Sequence, residues 1–354
     1  MAEGTPPIKV LVAEDSRTAR AWLVGLLRAA GMAVVEVANG LDAVHAARLE
    51  APSVVVMDLQ LPGLDGIEAI RRIMAESPCP IVVLTGQLHR EDVDVAFEAL
   101  NAGALEVVAK PSTADPAERA EIGRRFVRTL RVMERVKVVR RRRSQPRTSP
   151  AALTLPAGTS DLAMCRVLGI GASTGGPPVV RLLLDRIAAP ARVPILISQH
   201  IGPGFEEGFA RWLSDSGHPV DVLTGPADLE PGRVYVSPAS SSLVLTAPER
   251  LGLKPGGPQT RLLPSIDATF DSLATHQGRR AAGVLLTGMG RDGARGLGSI
   301  RDAGGATFAQ SEATCAVFGM PRVAHEVGAV DVLHSPDDLA RDLGAGFGAP
   351  RGLA

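Results

Sequence analysis

The sequence has few cysteine and aromatic residues and no net charge. Only three cysteines occur among 354 residues, and they are too far apart in the chain to form a Cys-x-x-Cys pair: Cys79, Cys165 and Cys315. This argues against a disulfide framework or a cysteine-rich zinc site and indicates a reducing compartment. The 38 basic residues balance 38 acidic ones, so no global field attracts nucleic acid or an anionic membrane.

The sequence also lacks a long hydrophobic run. No stretch approaches the roughly 20 apolar residues that a membrane-spanning helix needs. The first residues lack the basic-then-apolar pattern of a secretory signal. We therefore expect a cytoplasmic protein with no direct membrane insertion and no nucleic-acid partner. Hydrophobic residues still make up 45% of the chain, which is enough for large cores, and the length suits two domains.

Two segments with the same α/β rhythm flank a basic, proline- and serine-rich stretch. Residues 7–134 are predicted to form a five-stranded parallel flavodoxin-like domain, because strands at 8–13, 34–37, 54–57, 81–85 and 107–109 are almost continuously apolar. Residues 164–348 are predicted to form a doubly wound, mostly parallel α/β domain. Its predicted strands lie at 166–170, 194–198, 220–224, 234–237, 243–246, 282–287, 306–309 and 329–333. Its predicted helices lie at 177–188, 205–215, 266–276, 293–303 and 336–343.

Residues 135–163 are interpreted as a flexible linker. Its first part, 135–147, holds seven basic side chains and no acidic one, and residues 144–160 are rich in Pro, Ser, Thr and Ala. A nucleic-acid or membrane patch is the alternative interpretation, but no aromatic residues are interleaved with the charges.

Charged and hydroxyl side chains follow the predicted strands of the first domain. Glu14 and Asp15 follow the first strand, whereas Asp58 lies at the end of the third, Thr85 at the end of the fourth and Lys110 at the end of the fifth. The carboxyl ends of parallel strands share one sheet edge, where ligands bind. Three carboxylates there favour a hard cation such as Mg²⁺. The Asp58 carboxylate can act as a nucleophile toward a phosphoryl group that the lysine and the hydroxyl steady. An aspartate at a strand end is more often an ordinary turn residue.

This part of the chain, roughly residues 7–113, resembles the response-regulator receiver family. The segments that carry the resemblance are 10–16 (VLVAEDS), 57–66 (MDLQLPGLDG), 85–86 (TG) and 109–111 (AKP). It implies Asp58 as phospho-acceptor, a histidine kinase as phosphodonor, and Mg²⁺ held beside Glu14 and Asp15. It also implies Thr85 and Lys110 as switch residues and a cis bond before Pro111. Many receivers have an aromatic switch residue where this chain has Val107.

The second domain begins with a strand that runs into a glycine-rich turn carrying a serine. Small residues flank Ser173 in 171–176 (GASTGG), so the backbone can turn sharply and expose the hydroxyl near a helix N-terminus. The alternative is a glycine-rich phosphate loop, but the GxGxxG pattern fails at Thr174 and the lysine of a Walker loop is absent. The turn therefore favours a nucleophilic serine.

A histidine and an aspartate at other strand ends complete a candidate triad. His200 directly follows a predicted strand, whereas the other six histidines fall in helical patterns, loops or near element ends. Asp292 follows a later strand in 285–294 (LLTGMGRDGA) and can orient the imidazole, while turn amides near Met289 can face an oxyanion. Asp292 could instead simply cap the helix that follows it. The order Ser, His, Asp differs from that of α/β-hydrolases.

These segments resemble the catalytic domain of chemotaxis-type protein-glutamate methylesterases over roughly residues 165–335. The matching segments are 169–177 (GIGASTGGP), 199–205 (QHIGPGF), 264–267 (PSID), 285–294, 310–312 (QSE) and 317–321 (VFGMP). The resemblance implies Ser173 as nucleophile, His200 as general base and acid, Asp292 as orienting carboxylate and the Met289 amide as oxyanion donor. It also implies chemoreceptor methyl esters as substrate and glutamine deamidation as a further activity. The site offers one histidine and no ligand cluster of zinc-site spacing, so we expect no cofactor for the esterase chemistry. A receiver joined to a non-catalytic binding module is the alternative function.

Overall fold

The computed structural model describes residues 7–86, 90–110, 115–134, 136, 162–257, 262–330 and 332–347. The chain divides into two compact units, Met1–Arg147 and Thr148–Ala354. Within the described ranges, no helix is both long enough and apolar enough to cross a bilayer. The proposed linker lies almost wholly outside the described residues, so the domain boundaries stay a prediction.

The N-terminal unit is a five-stranded parallel sheet. Its strands are β1 (Lys9–Ala13), β2 (Ala33–Val37), β3 (Val54–Asp58), β4 (Ile81–Thr85) and β5 (Glu106–Ala109). Their order is β2-β1-β3-β4-β5, the flavodoxin-like order, which confirms the predicted fold. Every residue of β3 and β4 is buried, which explains their unbroken apolar sequences. The order reverses between β1 and β3, and this places a crevice at their carboxyl ends.

Four helices connect these strands and a fifth follows β5: α1 (Arg17–Ala29), α2 (Gly40–Glu50), α3 (Gly66–Glu76), α4 (Arg90–Ala102) and α5 (Pro116–Met133). Side chains cap the first turns of α1, α2, α3 and α5, as Ser16 does for α1 and Asp65 for α3. Asp115 caps α5 by accepting from Ala117 N at 2.8 Å, and Pro116 occupies the first helical position.

The C-terminal unit is built on a seven-stranded parallel sheet. Its strands are β6 (Val167–Ala172), β7 (Ile195–Gln199), β8 (Val220–Val222), β10 (Val234–Val236), β13 (Ala281–Leu285), β14 (Ala306–Gln310) and β15 (Val332–His334), separated in the chain by β9 (Ala227–Asp228), β11 (Ser241–Ala247) and β12 (Arg250–Pro255). The order is β15-β14-β13-β6-β7-β10-β8. Its helices are α6 (Gly176–Arg186), α7 (Glu206–Ser214), α8 (Ile266–Gln277), α9 (Ala294–Asp302), α10 (Met320–Glu326) and α11 (Pro336–Phe347). The sheet confirms the predicted mostly parallel fold.

Three details differ from the sequence prediction. The strand predicted at 243–246 belongs to a separate antiparallel sheet of order β11-β12-β9, because Leu243, Leu245 and Leu251 point into a core shared with α8. The last strand begins at Val332 rather than at 329. The seven-residue helix α10 is absent from the prediction, and its Met320 is fully buried.

The glycines of β6 make room for α8. A Cβ on Gly169 would lie 2.6 Å from Leu273 Cδ1, and one on Gly171 would lie 2.3 Å from Ile266 Cγ2. These glycines therefore serve close helix–sheet packing rather than a phosphate loop. The close approach also brings the N-terminus of α8 to the carboxyl edge of β6.

Candidate active site and phosphorylation site

The acidic edge of the N-terminal unit gathers the predicted residues around one lysine. Lys110 Nζ lies 2.7 Å from Asp58 Oδ2 and 2.7 Å from Glu14 Oε2. Glu14 and Asp58 are buried, whereas Asp15 is exposed. Gln60 N donates to Asp58 Oδ1 at 3.3 Å and Ser16 N to Glu14 Oε1 at 3.2 Å.

Burial and charge act against each other in this cluster. Burial raises the pKa of Glu14, and its hydrogen bond with Lys110 only partly offsets that effect. Burial alone would lower the pKa of Lys110, but its hydrogen bonds with Asp58 and Glu14 outweigh burial, and the net shift is upward. The lysine therefore stays a cation beside the proposed phospho-acceptor.

The donor set fits a hard divalent cation. Ligand oxygens of Glu14, Asp15 and Asp58 all lie within 4.8 Å of one another. Carboxylate oxygens, one set of them open to solvent, suit Mg²⁺, which keeps several of its waters.

Thr85 ends β4 beside this cluster and is 6% exposed. Lys110 N donates to Thr85 O at 2.7 Å, so the chain around the two proposed switch residues is joined directly. Val107 lies on β5, where many receivers have an aromatic residue. The predicted cis bond before Pro111 lies outside the described residues.

In the C-terminal unit, strand register brings Ser173 and His200 side by side. Ala172 at the end of β6 pairs with Gln199 at the end of β7, so the next residues, Ser173 and His200, are neighbours across adjacent strands. His200 N donates to Ala172 O at 2.9 Å and continues the ladder. On the other side, Ser173 N donates to Thr287 O at 3.0 Å. Adjacent strands lie about 4.8 Å apart, so both side chains are within reach of one substrate group.

His200 is hydrogen-bonded to Asp292 through one ring nitrogen. His200 Nε2 lies 2.9 Å from Asp292 Oδ2. His200 Nδ1 is buried and has no hydrogen-bond partner among the described residues. If Asp292 holds the Nε2 proton, Nδ1 carries a lone pair and is the nitrogen left for Ser173.

Asp292 accepts five hydrogen bonds. Besides His200, its donors are Ile266 N at 2.8 Å, Asp267 N at 3.0 Å, Gly293 N at 3.1 Å and Ser265 Oγ at 3.3 Å. Burial would raise the pKa of Asp292, but the hydrogen bond and charge of His200 and the backbone donors outweigh it, and the pKa is lowered. The carboxylate is therefore ionised at neutral pH.

These hydrogen bonds show that Asp292 does not simply cap the helix that follows it. The residue at the N-cap of the following helix, α9, is Gly293, in the left-handed region at φ 86° and without a side-chain cap. The Asp292 carboxylate instead accepts from the first amides of α8, the helix before it in the chain. It joins the positive end of α8 to His200.

Two glycines shape the turns around the serine. Gly175 has φ +71°, and a Cβ there would lie 2.5 Å from Ala316 Cβ. A Cβ on Gly288 would lie 2.6 Å from Ser173 Cβ and 2.8 Å from Met320. The serine turn and the 287–290 turn therefore touch along their backbones.

The Met289 amide lies in the turn after β13. Gly288 N donates to Val317 O at 3.0 Å, and Gly288 O accepts from Met320 N at 2.9 Å, so the residue before Met289 is held by its backbone. Across the described ranges, the amides of Met289 and of Thr174 have no acceptor. Two such amides near the serine are what an oxyanion site requires. The Met289 side chain is 38% exposed.

Several polar residues that hold this site had no predicted role. Gln199, Ser265 and Gln310 fall in segments that carry the family resemblance, and only that resemblance could have pointed to them. Gln310 Oε1 accepts from Thr287 N at 2.9 Å, and Thr287 Oγ1 donates to Thr174 O at 3.0 Å. These buried groups connect the turns that carry the candidate triad.

Comparison with known proteins agrees with this architecture. The CheB methylesterase family matches residues 168–343, and the response regulator receiver domain matches residues 10–119. A Myxococcus xanthus protein named protein-glutamate methylesterase/protein-glutamine glutaminase 3 is 43% identical over 92% of this chain and 90% of its own length. An Anaeromyxobacter dehalogenans protein of the same name is 41% identical over 95% of this chain and 98% of its own.

Among solved structures, the Thermotoga maritima CheB methylesterase catalytic domain is 29% identical, with a TM-score of 0.49, over 51% of this chain and 98% of that one. The family assignment comes from the sequence relatives, which match both units in the same order. This chain belongs to the CheB methylesterase family, with a response regulator receiver domain preceding the methylesterase domain.

Proposed function

We propose that this protein hydrolyses γ-glutamyl methyl esters on chemoreceptor-type signalling proteins and releases methanol. The observation that carries the proposal is the 2.9 Å bond between His200 and Asp292, one strand away from Ser173. The names of the relatives support this substrate class. Three free cysteines support action in the cytoplasm.

The geometry supports a serine-esterase mechanism. His200 Nδ1 takes the proton of Ser173 Oγ as the oxygen attacks the ester carbonyl. The amide of Met289 donates to the oxyanion of the tetrahedral intermediate. His200 then gives the proton to the departing methoxide. Methanol is released, and the acyl group stays bound to Ser173. Water, activated by the same imidazole, cleaves that acyl group, while Asp292 holds Nε2–H and stabilises the imidazolium.

The same groups can hydrolyse a glutamine side chain. Attack on a carboxamide leads to the same acyl-serine, and ammonia leaves in place of methanol. The relatives carry the name protein-glutamine glutaminase as well. We therefore propose deamidation as a second reaction of the same site.

We further propose that phosphorylation of Asp58 controls the esterase. A histidine kinase supplies the phosphoryl group. Glu14, Asp15 and Asp58 would hold Mg²⁺, which would supply positive charge beside the phosphoryl oxygens. Lys110 and the Thr85 hydroxyl donate hydrogen bonds to the oxygens of the phosphoryl group. Two observations support this proposal: the carboxylate cluster, and the Lys110 ammonium 2.7 Å from Asp58 Oδ2.

The test replaces Ser173 by alanine. Full-length protein with a small phosphodonor and Mg²⁺ is incubated with methylated receptor peptides, and mass spectrometry follows the loss of methyl groups. Ser173→Ala should abolish both demethylation and deamidation while leaving Tm unchanged. Full activity in a well-folded variant would remove Ser173 from the mechanism.

A further inference from the structure

We propose that Gln199 is a positioning residue that holds the nucleophile and its base in register. The inference rests on the proposed roles of Ser173 and His200 and adds a third group that acts through both. Gln199 is the last residue of β7 and directly precedes His200 in the chain.

The side chain of Gln199 bridges the two catalytic loops. Its Nε2 donates to Ser173 O at 2.9 Å and to His200 O at 2.9 Å. A primary amide has two N–H bonds, and both are used here. Gln199 is 2% exposed, so water does not compete for these bonds. One planar group therefore connects the carbonyl of the nucleophile with the carbonyl of the base.

The surroundings fix the orientation of this amide. Rotating it by 180° would set its oxygen against two carbonyl oxygens, which repel it. Its Oε1 instead faces the start of α6: a Cβ on Gly176 would lie 2.6 Å from Oε1. This oxygen is buried with no hydrogen-bond partner among the described residues, and the positive end of the helix favours it there. Glycine at 176 thus keeps room for the amide.

The bridge acts where small displacements matter. Ser173 O also accepts from Gly176 N at 2.8 Å, so two donors fix the peptide that carries the nucleophile. Across the strand pair, the main chain of His200 is fixed by its bond to Ala172 O and by the amide. A misplacement of about 1 Å between reacting groups costs roughly hundredfold in rate. Losing the amide should therefore slow acylation without weakening substrate binding.

The experiment compares Gln199→Met with Gln277→Met in the full-length protein, with acetyl phosphate and Mg²⁺ present. Gln277 is a matched control, because it is also buried and its Nε2 donates to a backbone carbonyl, Pro248 O, outside the triad. Two rates are measured. One is methanol release from a peptide bearing a γ-glutamyl methyl ester, and the other is inactivation by phenylmethanesulfonyl fluoride, which reports the nucleophilicity of Ser173.

We expect Gln199→Met to lower kcat and the inactivation rate by roughly hundredfold with KM within about twofold. Gln277→Met should lower Tm similarly and leave both rates unchanged. Gln199→Glu is the second variant. Its buried carboxyl has a raised pKa, and the protonated form keeps one donor, so roughly a tenfold loss is expected. If Gln199→Met does not fold, this variant decides.

The outcomes separate the inference from the proposed function. If wild-type protein neither releases methanol nor reacts with the sulfonyl fluoride, the proposed function fails. If wild-type protein does both and Gln199→Met and Gln199→Glu match Gln277→Met in kcat, Gln199 has no positioning role. A rise in KM with unchanged kcat would also overturn the inference, because it would place Gln199 in substrate binding.

Discussion

One carboxylate at position 292 serves both the fold and the chemistry. Its oxygens accept from the first two amides of α8 and from the imidazole of His200. The lowered pKa of Asp292 means that its stabilising effect is present above the ordinary pKa of aspartate and is lost as pH falls through the lower folded value. At neutral pH the charge is available to the imidazolium that forms during turnover.

Asp292→Asn should lower kcat by several powers of ten at neutral pH, because an amide stabilises the wrong imidazole tautomer. Ester hydrolysis by phosphorylated full-length protein measures the effect, and circular dichroism monitors folding. Asp185→Asn, which breaks only an exposed pair with Arg181, is the control and should keep full activity. A loss below about tenfold in Asp292→Asn would restrict this carboxylate to capping α8, worth roughly 1 kcal/mol of stability.

At the scale of elements, the site depends on turns that touch without side chains between them. Gly288→Ala should lower kcat by at least about tenfold and stability by about 1–3 kcal/mol, because its Cβ would meet Ser173 Cβ at 2.6 Å. Gly225→Ala is the matched control, since a Cβ there meets no atom within 4 Å. Urea unfolding and ester hydrolysis measure both effects. If the two variants had equal kcat and equal stability, the serine turn would be able to shift away from the added methyl group without loss of either.

The sequence predicted the parallel sheets well because buried strands such as β3, β4 and β6 have continuous apolar runs. It also predicted that Ser173, His200 and Asp292 share one sheet edge, because all three follow strands. The role of α8 could not be predicted: its amides reach Asp292 only because Gly169 and Gly171 admit Phe270 and Ile266. The separate hairpin β11–β12 could not be predicted from the sequence. The strand at 243–246 lies in the chain between two strands of the parallel sheet, and its sequence does not distinguish it from them.

At the scale of the whole molecule, we expect the two units to differ in their dependence on metal. The carboxylate cluster that fits Mg²⁺ lies in the N-terminal unit, whereas the proposed hydrolysis uses Ser173, His200, Asp292 and the Met289 amide of the C-terminal unit. A chelator should abolish phosphorylation of Asp58 yet leave a fragment of residues 162–354 fully active. Phosphate incorporation and ester hydrolysis are measured in parallel. Inhibition of the fragment by chelator, reversed by Zn²⁺, would contradict the serine mechanism.

Control of one unit by the other is the last prediction. The part of the proposed linker from 144 to 160 is long enough to let one domain fold over the other, and we expect the receiver to restrain the esterase in this way. A phosphoryl group on Asp58 adds up to two negative charges beside Lys110, which now pairs with Asp58 and Glu14. On this hypothesis, moving the lysine and Thr85 toward the phosphate would change the neighbouring surface and favour release of the esterase. A tenfold activation needs only about 1.4 kcal/mol, which one or two charge-assisted hydrogen bonds can supply.

Three proteins test this control, each with and without acetyl phosphate and Mg²⁺: the full-length chain, its Asp58→Asn variant and the 162–354 fragment. The fragment should hydrolyse ester at the same high rate in both conditions. The full-length chain should start slower and rise about tenfold or more with the phosphodonor, while Asp58→Asn stays slow. A fragment no faster than the unphosphorylated full-length chain would mean that the receiver imposes no restraint. Equal stimulation of Asp58→Asn would move the switch to another residue, because the asparagine cannot form the acyl phosphate on which the mechanism depends.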